Sequence, residues 1–389
     1  MLTTIKISAF KSLVDFELSL SKFNCIIGLN GAGKSTLLQL ISYLSSLFRG
    51  DVNRWLEEHN WQANEVVSHY FPKRETIEIE LELEDSGKRY RWQGTYNWKK
   101  GFCTKESFAD LTDESKPLFR VYQNRYTDAN GIESTINFQY AGSIVSSLLE
   151  GSMKWEAQQL KKYLSQIESH ELLSPKVMRT GKFSNSGRVG ASGESLISYI
   201  HNLDDADKGL VRERLAEYFP QVIKLDTKTQ LNGTLALFVT ERYYKETGEH
   251  IDIVTDARHI NDGMLRILNL LANQRSVSKF QLFDEIENGI NPEITEKLMD
   301  TFTRAPQQTL ISTHSPMVLN YLDDETAKQS VILLYKKKNG QTAAIHLFSL
   351  PSALKKLECL APGEAMVDLY LSDVAAEAEV MHSEKQVEA

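Results

Sequence analysis

Phe23-Asn24-Cys25-Ile26-Ile27-Gly28-Leu29-Asn30-Gly31-Ala32-Gly33-Lys34-Ser35-Thr36 is the stretch that decides the fold. Its first five residues form a brief, mostly apolar run, the pattern of a strand buried on both faces. Gly28 to Ser35 then match G-x-x-x-x-G-K-[ST] in full, and Leu37, Leu38, Leu40, Ile41, Leu44 and Leu47 follow at helical spacing. Strand, glycine-rich loop and helix in that order make a phosphate-binding loop. Gly28, Gly31 and Gly33 permit backbone conformations closed to residues with a β-carbon, so that successive N–H groups turn inward to cradle phosphate oxygens. Lys34 supplies a point charge for the β and γ phosphates, and Ser35 offers its hydroxyl to Mg²⁺. The helix that begins there presents its positive end to the nucleotide. Asn30, Gly31, Ala32, Gly33, Lys34, Ser35 and Thr36 are therefore the residues expected against the phosphates.

Upstream, Leu2 to Phe10 reads as a strand and Val14 to Leu20 as its antiparallel partner, with Phe16, Leu18 and Leu20 alternating. Downstream, Ile77, Ile79 and Leu81, then Tyr90, Trp92 and Tyr96, flank Asp85-Ser86-Gly87 and predict a hairpin over residues 75–97, part of an antiparallel lobe. Helical spacing recurs over 152–168 and 195–218, with a Gly/Ser-rich loop from Phe183 to Ser195. Leu231 to Val239 and Tyr243 to Val254 read as two strands around Thr247-Gly248. Helix and buried strand alternate from 262 to 349, an α/β pattern, and Ala375 to Ala389 reads as a fraying helix or a disordered tail.

Composition sets outer limits. The 389 residues allow one large or two medium domains, and 41% hydrophobic with 25% charged residues is ordinary for a globular chain. A net charge of −8 argues against a uniformly basic nucleic-acid binder; Lys99-Lys100, Lys161-Lys162 and Lys336-Lys337-Lys338 are either solvated faces or pieces of a local basic groove. Three scattered cysteines, Cys25, Cys103 and Cys359, suggest neither a disulfide framework nor a zinc site and fit a reducing cytoplasm. No run reaches the roughly 18 apolar residues that span a bilayer, so no membrane partner is expected.

A second acidic site closes the chemistry. Phe280-Gln281-Leu282-Phe283-Asp284-Glu285 is an apolar strand ending in two carboxylates, where a phosphate-loop fold needs a magnesium-holding acid. Asp284 is that candidate, and Glu285 beside it is the candidate general base or water-positioning group.

Asp284-Glu285-Ile286-Glu287-Asn288-Gly289-Ile290-Asn291-Pro292 resembles the Walker B and D-loop segment of ABC-type ATPases, especially the RecF, SMC and OLD-like branch. Ile260-Asn261-Asp262-Gly263-Met264-Leu265-Arg266 resembles that branch's signature motif, with Asn261 where serine is usual. Ser312-Thr313-His314-Ser315-Pro316 resembles its switch-histidine segment, and Ile7 to Leu13 its lead-in strand and turn. The resemblance covers roughly residues 1–50 and 255–320, and in the middle only the general layout, including Arg179 and Gly193-Glu194-Ser195-Leu196.

What it implies is an α/β P-loop NTPase of ABC type with a mostly parallel core sheet, an antiparallel β lobe and an inserted helical region. Residues 1–140 would be the N-terminal ATPase lobe, 141–230 the helical insert, 231–350 the C-terminal lobe and 351–389 a tail. The implied cofactors are ATP and Mg²⁺, the latter held by Ser35, Asp284 and a linking glutamine, for which Gln139 is the candidate. Glu285, His314 and Lys34 would be catalytic, and Lys11 would approach the nucleotide from the first turn. Asn261, Asp262 and Gly263 would meet the γ phosphate bound to another copy, so a homodimer or higher even-numbered oligomer is implied; for Asp262-Gly263 an ordinary helix cap is the rival reading. The middle lacks the heptads of an SMC arm, and the stretch after Pro316 is too short for the TOPRIM nuclease of OLD-type relatives. The resemblance therefore points to the ATPase subunit of a bacterial anti-phage defence system with a separate effector, such as a nuclease. A RecF-like ATPase that binds DNA and an ATP-locked scaffold with negligible hydrolysis are the alternatives.

Overall fold

The computed structural model describes residues 1–112, 117–170, 174–181, 189–190, 192–274 and 278–388. The chain forms two compact units, one from Met1–Ile167 with Gln308–Ala389, the other from Glu168–Gln307.

In the first unit, β1 (Leu2–Phe10), β2 (Leu13–Ser19) and β3 (Phe23–Ile27) lead into α1 (Lys34–Arg49) and α2 (Val52–Glu58). Then come β4 (Thr76–Asp85), β5 (Lys88–Asn97), β6 (Phe102–Asp110), β7 (Phe119–Tyr122), β8 (Arg125–Asp128), β9 (Glu133–Thr135) and α3 (Trp155–Ser165). The second unit holds most of β10 (Ile167–His170), followed by α4 (Pro175–Met178), α5 (Leu196–Asn202), α6 (Asp205–Tyr218), β11 (Val222–Thr229), β12 (Leu235–Tyr244), β13 (His250–Asp256), α7 (Asp262–Gln274), β14 (Phe280–Phe283) and α8 (Pro292–Thr303). The chain returns to the first unit with β15 (Gln308–Ser312), α9 (Pro316–Asn320), α10 (Asp324–Ser330), β16 (Val331–Lys336), β17 (Thr342–His346), α11 (Pro351–Leu357), α12 (Pro362–Val367) and α13 (Leu371–Glu388).

The strands of the first unit run in the order β15-β3-β16-β17-β2-β1-β4-β5-β6-β7-β8-β9. β15 and β16 flank β3 in parallel, and all five residues of β3 are buried, as its apolar run demands. From β17 outward the pairing is antiparallel except for one parallel pair, Thr342 with Leu13. The parallel core is thus a narrow band continued by an antiparallel lobe, the α/β arrangement expected.

α1 is apolar around most of its circumference because it is packed on several sides. Tyr43 meets Phe10, Trp55 and Tyr96 at ring-centroid distances of 5.5, 5.0 and 5.8 Å, and Phe48 meets Trp92 at 4.9 Å. Beyond Phe48 the Leu47 carbonyl accepts the Ser143 N–H at 2.8 Å. In the same stretch the Glu106 carboxylate, 2% exposed, accepts from Ile144 N at 2.7 Å, Trp92 Nε1 at 3.2 Å and the Ser143 hydroxyl. Burial, only partly offset by those donors, pushes this carboxyl up to about 7.

One glutamine ties together the points where the chain leaves and re-enters this unit. Gln308 accepts from Leu2 N at 3.1 Å and from the Tyr163 hydroxyl, and donates to the carbonyls of Leu2 and Ser21, both at 2.8 Å.

In the second unit, β11, β12 and β13 form an antiparallel meander. The turn at Thr247-Gly248 is where the sequence puts it, but β12 runs on to Tyr244 instead of ending at Val239, and β11 is an additional strand. The single helix read over 195–218 is two helices, because the Asp204 carboxylate accepts from Asp207 N at 2.7 Å and so caps α6. Within Phe183 to Ser195, residues 183–188 and 191 lie outside the described residues, and Gly193 turns with φ 78°. The C-terminal stretch is helical from Leu371, with Val374 and Ala378 buried. Among the described residues no helix is long and apolar enough to cross a membrane.

Candidate functional site

The phosphate loop leaves the end of β3 as its sequence requires. Gly28, Gly31 and Gly33 take φ of 152°, 77° and 113°, all in the region that a β-carbon disfavours. Two of the three are also needed sterically. A β-carbon on Gly28 would collide with the Leu334 carbonyl, and one on Gly33 would lie 2.7 Å from the Thr342 hydroxyl and 2.9 Å from its methyl. Lys34, 7% exposed, folds over the loop and donates to the carbonyls of Gly28 at 2.8 Å and Leu29 at 3.2 Å. Gly33 stands at the N-cap of α1 with no side chain over the helix end, and Ser35 lies in the first turn. The concave backbone, the helix N-terminus, the lysine and the adjacent hydroxyl suit a triphosphate with its magnesium ion.

His314 comes to the same edge. β15 pairs with β3 in parallel register, Ser312 opposite Ile26, and Thr313 N continues the ladder to the Ile26 carbonyl at 3.0 Å. His314 follows two residues after Ser312, exposed just before α9, as Gly28 follows two residues after Ile26. Thr313 shapes this turn by accepting from Ser315 N at 3.0 Å.

Lys11 sits in a tight left-handed turn, φ 49°, with its ammonium 3.2 Å above the Trp61 ring centroid and 3.2 Å from Gln39 Oε1, one helical turn after Ser35. Gln139 lies elsewhere. It is exposed in the segment whose Tyr140 packs 5.0 Å from Phe102 and donates to the Cys103 carbonyl, and whose Ser143 is bound to Leu47. Leu47 is roughly 18 Å along α1 from Ser35 at 1.5 Å per residue. Gln139 thus follows the edge strand β9 back to the wrong end of α1, and its expected role as magnesium ligand is not supported.

The second unit holds the other motif residues. Asn261 caps α7: its Oδ1 accepts from Met264 N at 2.7 Å. Asp262 is therefore not the cap. Its carboxylate takes the Arg179 guanidinium at 2.6 Å, and the same guanidinium donates to the Ile260 carbonyl at 2.7 Å, so Arg179 fixes the approach to α7 from both sides. Gly263 is small for a reason, since a β-carbon there would lie 3.0 Å from the Gly289 carbonyl. β14 ends in Phe283, stacked 4.8 Å from His170, and Asp284 and Glu285 follow. Burial holds the His170 imidazole down at about 3, so it is neutral in this core. Glu285 has φ 47° in a turn closed by Asn288 N on the Glu285 carbonyl at 3.0 Å; a non-glycine residue held there is strained by about 1 kcal/mol. The sequence showed nothing of Thr342 behind the loop or of that backbone.

Residues 23–320 match the protein family described as "AAA domain, putative AbiEii toxin, Type IV TA system". The chain belongs to this AAA-domain family. The Old nuclease of Escherichia phage P2 is 23% identical over 380 residues, an alignment that covers 88% of this chain and 60% of that protein. The AAA-domain chain thus spans about three fifths of the length of that curated relative. A crystal structure of an SmcHead bound to the C-winged helix domain of ScpA shares its fold, with a TM-score of 0.52 and 15% identity over 88% of this chain and 96% of the other. Family, relative and fold agree with the RecF, SMC and OLD-like resemblance of the motifs. The AAA-domain chain thus has the fold of an SMC head, and its sequence is similar to that of the Old nuclease.

Proposed function

We propose that this AAA domain is the ATP-binding and ATP-hydrolysing subunit of an anti-phage defence system, that it dimerises around ATP and Mg²⁺, and that it acts with a separate effector such as a nuclease. The observation that carries this reading is the coincidence of the phosphate loop and the His314 turn on neighbouring parallel strands. The relative is named a nuclease of a phage, and the family description names a type IV toxin–antitoxin system; both support a defence role with a second component.

In this reading the loop amides and Lys34 bind the triphosphate, and the His314 imidazole hydrogen-bonds the γ phosphate. Glu285 accepts a proton from the water that attacks the γ phosphorus in line, while the β-phosphate oxygen leaves. Ser35 and Asp284 are the groups that would hold Mg²⁺, which when bound would neutralise charge on the triphosphate. The amide N–H₂ of Asn261, whose Oδ1 is engaged by the cap, and the N-terminus of α7 serve the phosphate of a second copy, so a lone monomer binds ATP and hydrolyses it poorly.

The test is Glu285→Gln. Phosphate release should fall at least a hundredfold while ATP-dependent dimers accumulate in sedimentation velocity. Unchanged release together with an unchanged assembly state would remove Glu285 as the base and favour an ATP-locked scaffold. ATP-dependent capture of DNA on a filter by the protein alone would favour the repair reading.

A further inference from the structure

Thr342 opens β17 and is 1% exposed. Its hydroxyl lies 2.9 Å from the Ala32 carbonyl, 2.8 Å from the Ser12 hydroxyl and 2.9 Å from Lys336 Nζ. A threonine hydroxyl has one proton and two lone pairs, and the partners fill all three. A carbonyl can only accept, so the proton goes to Ala32; an ammonium can only donate, so Lys336 takes one lone pair and Ser12 donates to the other. The backbone sets the position of this hydroxyl, since Thr342 N donates to the Ser12 carbonyl at 2.9 Å and Lys336 is the residue paired with Thr342 across the β16–β17 hairpin.

The Ala32 carbonyl belongs to the peptide that ends in the N–H of Gly33. In a trans peptide the C=O and N–H point in opposite directions across one rigid plane. Holding the carbonyl at the rear of the loop therefore turns the Gly33 N–H to the front, where a phosphate is bound. Gly33, at φ 113° and with no side chain, cannot by itself resist rotation of that plane.

We propose that Thr342, saturated by Ser12 and Lys336, is a positioning residue that holds the phosphate loop in its anion-binding conformation by pinning the Ala32 carbonyl. This rests on the ATP-binding reading above. Lys336 adds a positive charge behind the loop, which polarises the hydroxyl toward the carbonyl. The lever is the hydroxyl and not the volume of the side chain.

Thr342→Val keeps the shape and removes the hydroxyl; Thr342→Ser keeps the hydroxyl and removes the methyl. ATP with magnesium, titrated calorimetrically into the full chain, should bind Thr342→Val about tenfold more weakly, the equivalent of one or two net hydrogen bonds. Thr342→Ser should stay within about twofold of wild type, a rescue that a packing role would not give. In steady state the Val variant should raise KM for ATP more than it lowers kcat. Equal ATP affinity for Val and wild type, or equal losses for Val and Ser, overturns the proposal. Should the Val variant not fold, Ser12→Ala and Lys336→Met each remove one donor, and wild-type affinity in both overturns it equally. Lys34→Ala separates the two levels. A wild type that binds no more ATP than Lys34→Ala overturns the ATP reading and this inference with it, whereas normal binding by wild type and Val alike overturns this inference alone.

Discussion

Glu106 gives the most quantitative handle on this fold. In the unfolded chain a glutamate loses its proton near pH 4.5, whereas burial keeps the folded carboxyl protonated up to about pH 7. Between those values the folded state holds a proton that the unfolded state has released. Stability therefore falls as pH rises through the window from 4.5 to 7, and the dependence ends on either side of it. At about 1.4 kcal/mol per pH unit the total is about 3 kcal/mol, most of which falls between pH 5 and pH 8. Glu106→Gln removes the ionisation. Its amide oxygen can still accept from Ile144 N, and the Ser143 hydroxyl can rotate to accept from its NH₂. The assay is urea unfolding of both proteins at several pH values between 5 and 8, followed by tryptophan fluorescence, because Trp92 touches the carboxylate. The free-energy gap between variant and wild type should swing by about 2 to 3 kcal/mol in favour of the variant as pH rises. Parallel curves would show that the carboxyl titrates alike in both states and that its burial carries no such cost.

Two further outcomes are expected. His314→Ala should leave ATP affinity within about threefold of wild type and cut single-turnover phosphate release at least tenfold, because in the proposed reading the imidazole acts on the γ phosphate during the chemical step; a rate equal to wild type in rapid-quench measurements would remove it from the chemistry. Asn261→Ala removes the cap of α7 and should lower unfolding stability by about 1 kcal/mol, whereas Asn261→Ser should restore most of it, both read from urea midpoints; a full loss in the serine variant would mean that the side chain acts by something other than capping.

Local signals were the legible ones. Gly28 to Ser35 announced a strand, a turn and a helix because each glycine answers to a backbone requirement that is local, and Asp85-Ser86-Gly87 announced its hairpin for the same reason. The break between α5 and α6 was missed because periodicity runs across it, although Asp204 carried the capping signal. β11 was missed because Val222 to Thr229 follow a long helical pattern and alternate only weakly, with Val222 and Leu225 as the buried contacts. Gln139 was misplaced because a glutamine after a strand carries no information on which end of a neighbouring helix the strand returns to. Thr342 was invisible for a related reason: its partners at positions 12, 32 and 336 form one group only after the sheet has assembled.

The Gln308 clasp bears on how such a chain diversifies. Gln308 and Tyr163 meet near the N-terminal strand, so the two ends of the span 168–307 are held together by residues of the first unit. The entropy of closing a loop grows only with the logarithm of its length, about 0.6 kcal/mol per doubling. A longer or shorter loop within the span, such as the Thr247-Gly248 turn between β12 and β13, would therefore cost the closure little. Asn261, Asp284 and Glu285 lie inside that span, so the stretches that carry them are not free to change with its loops.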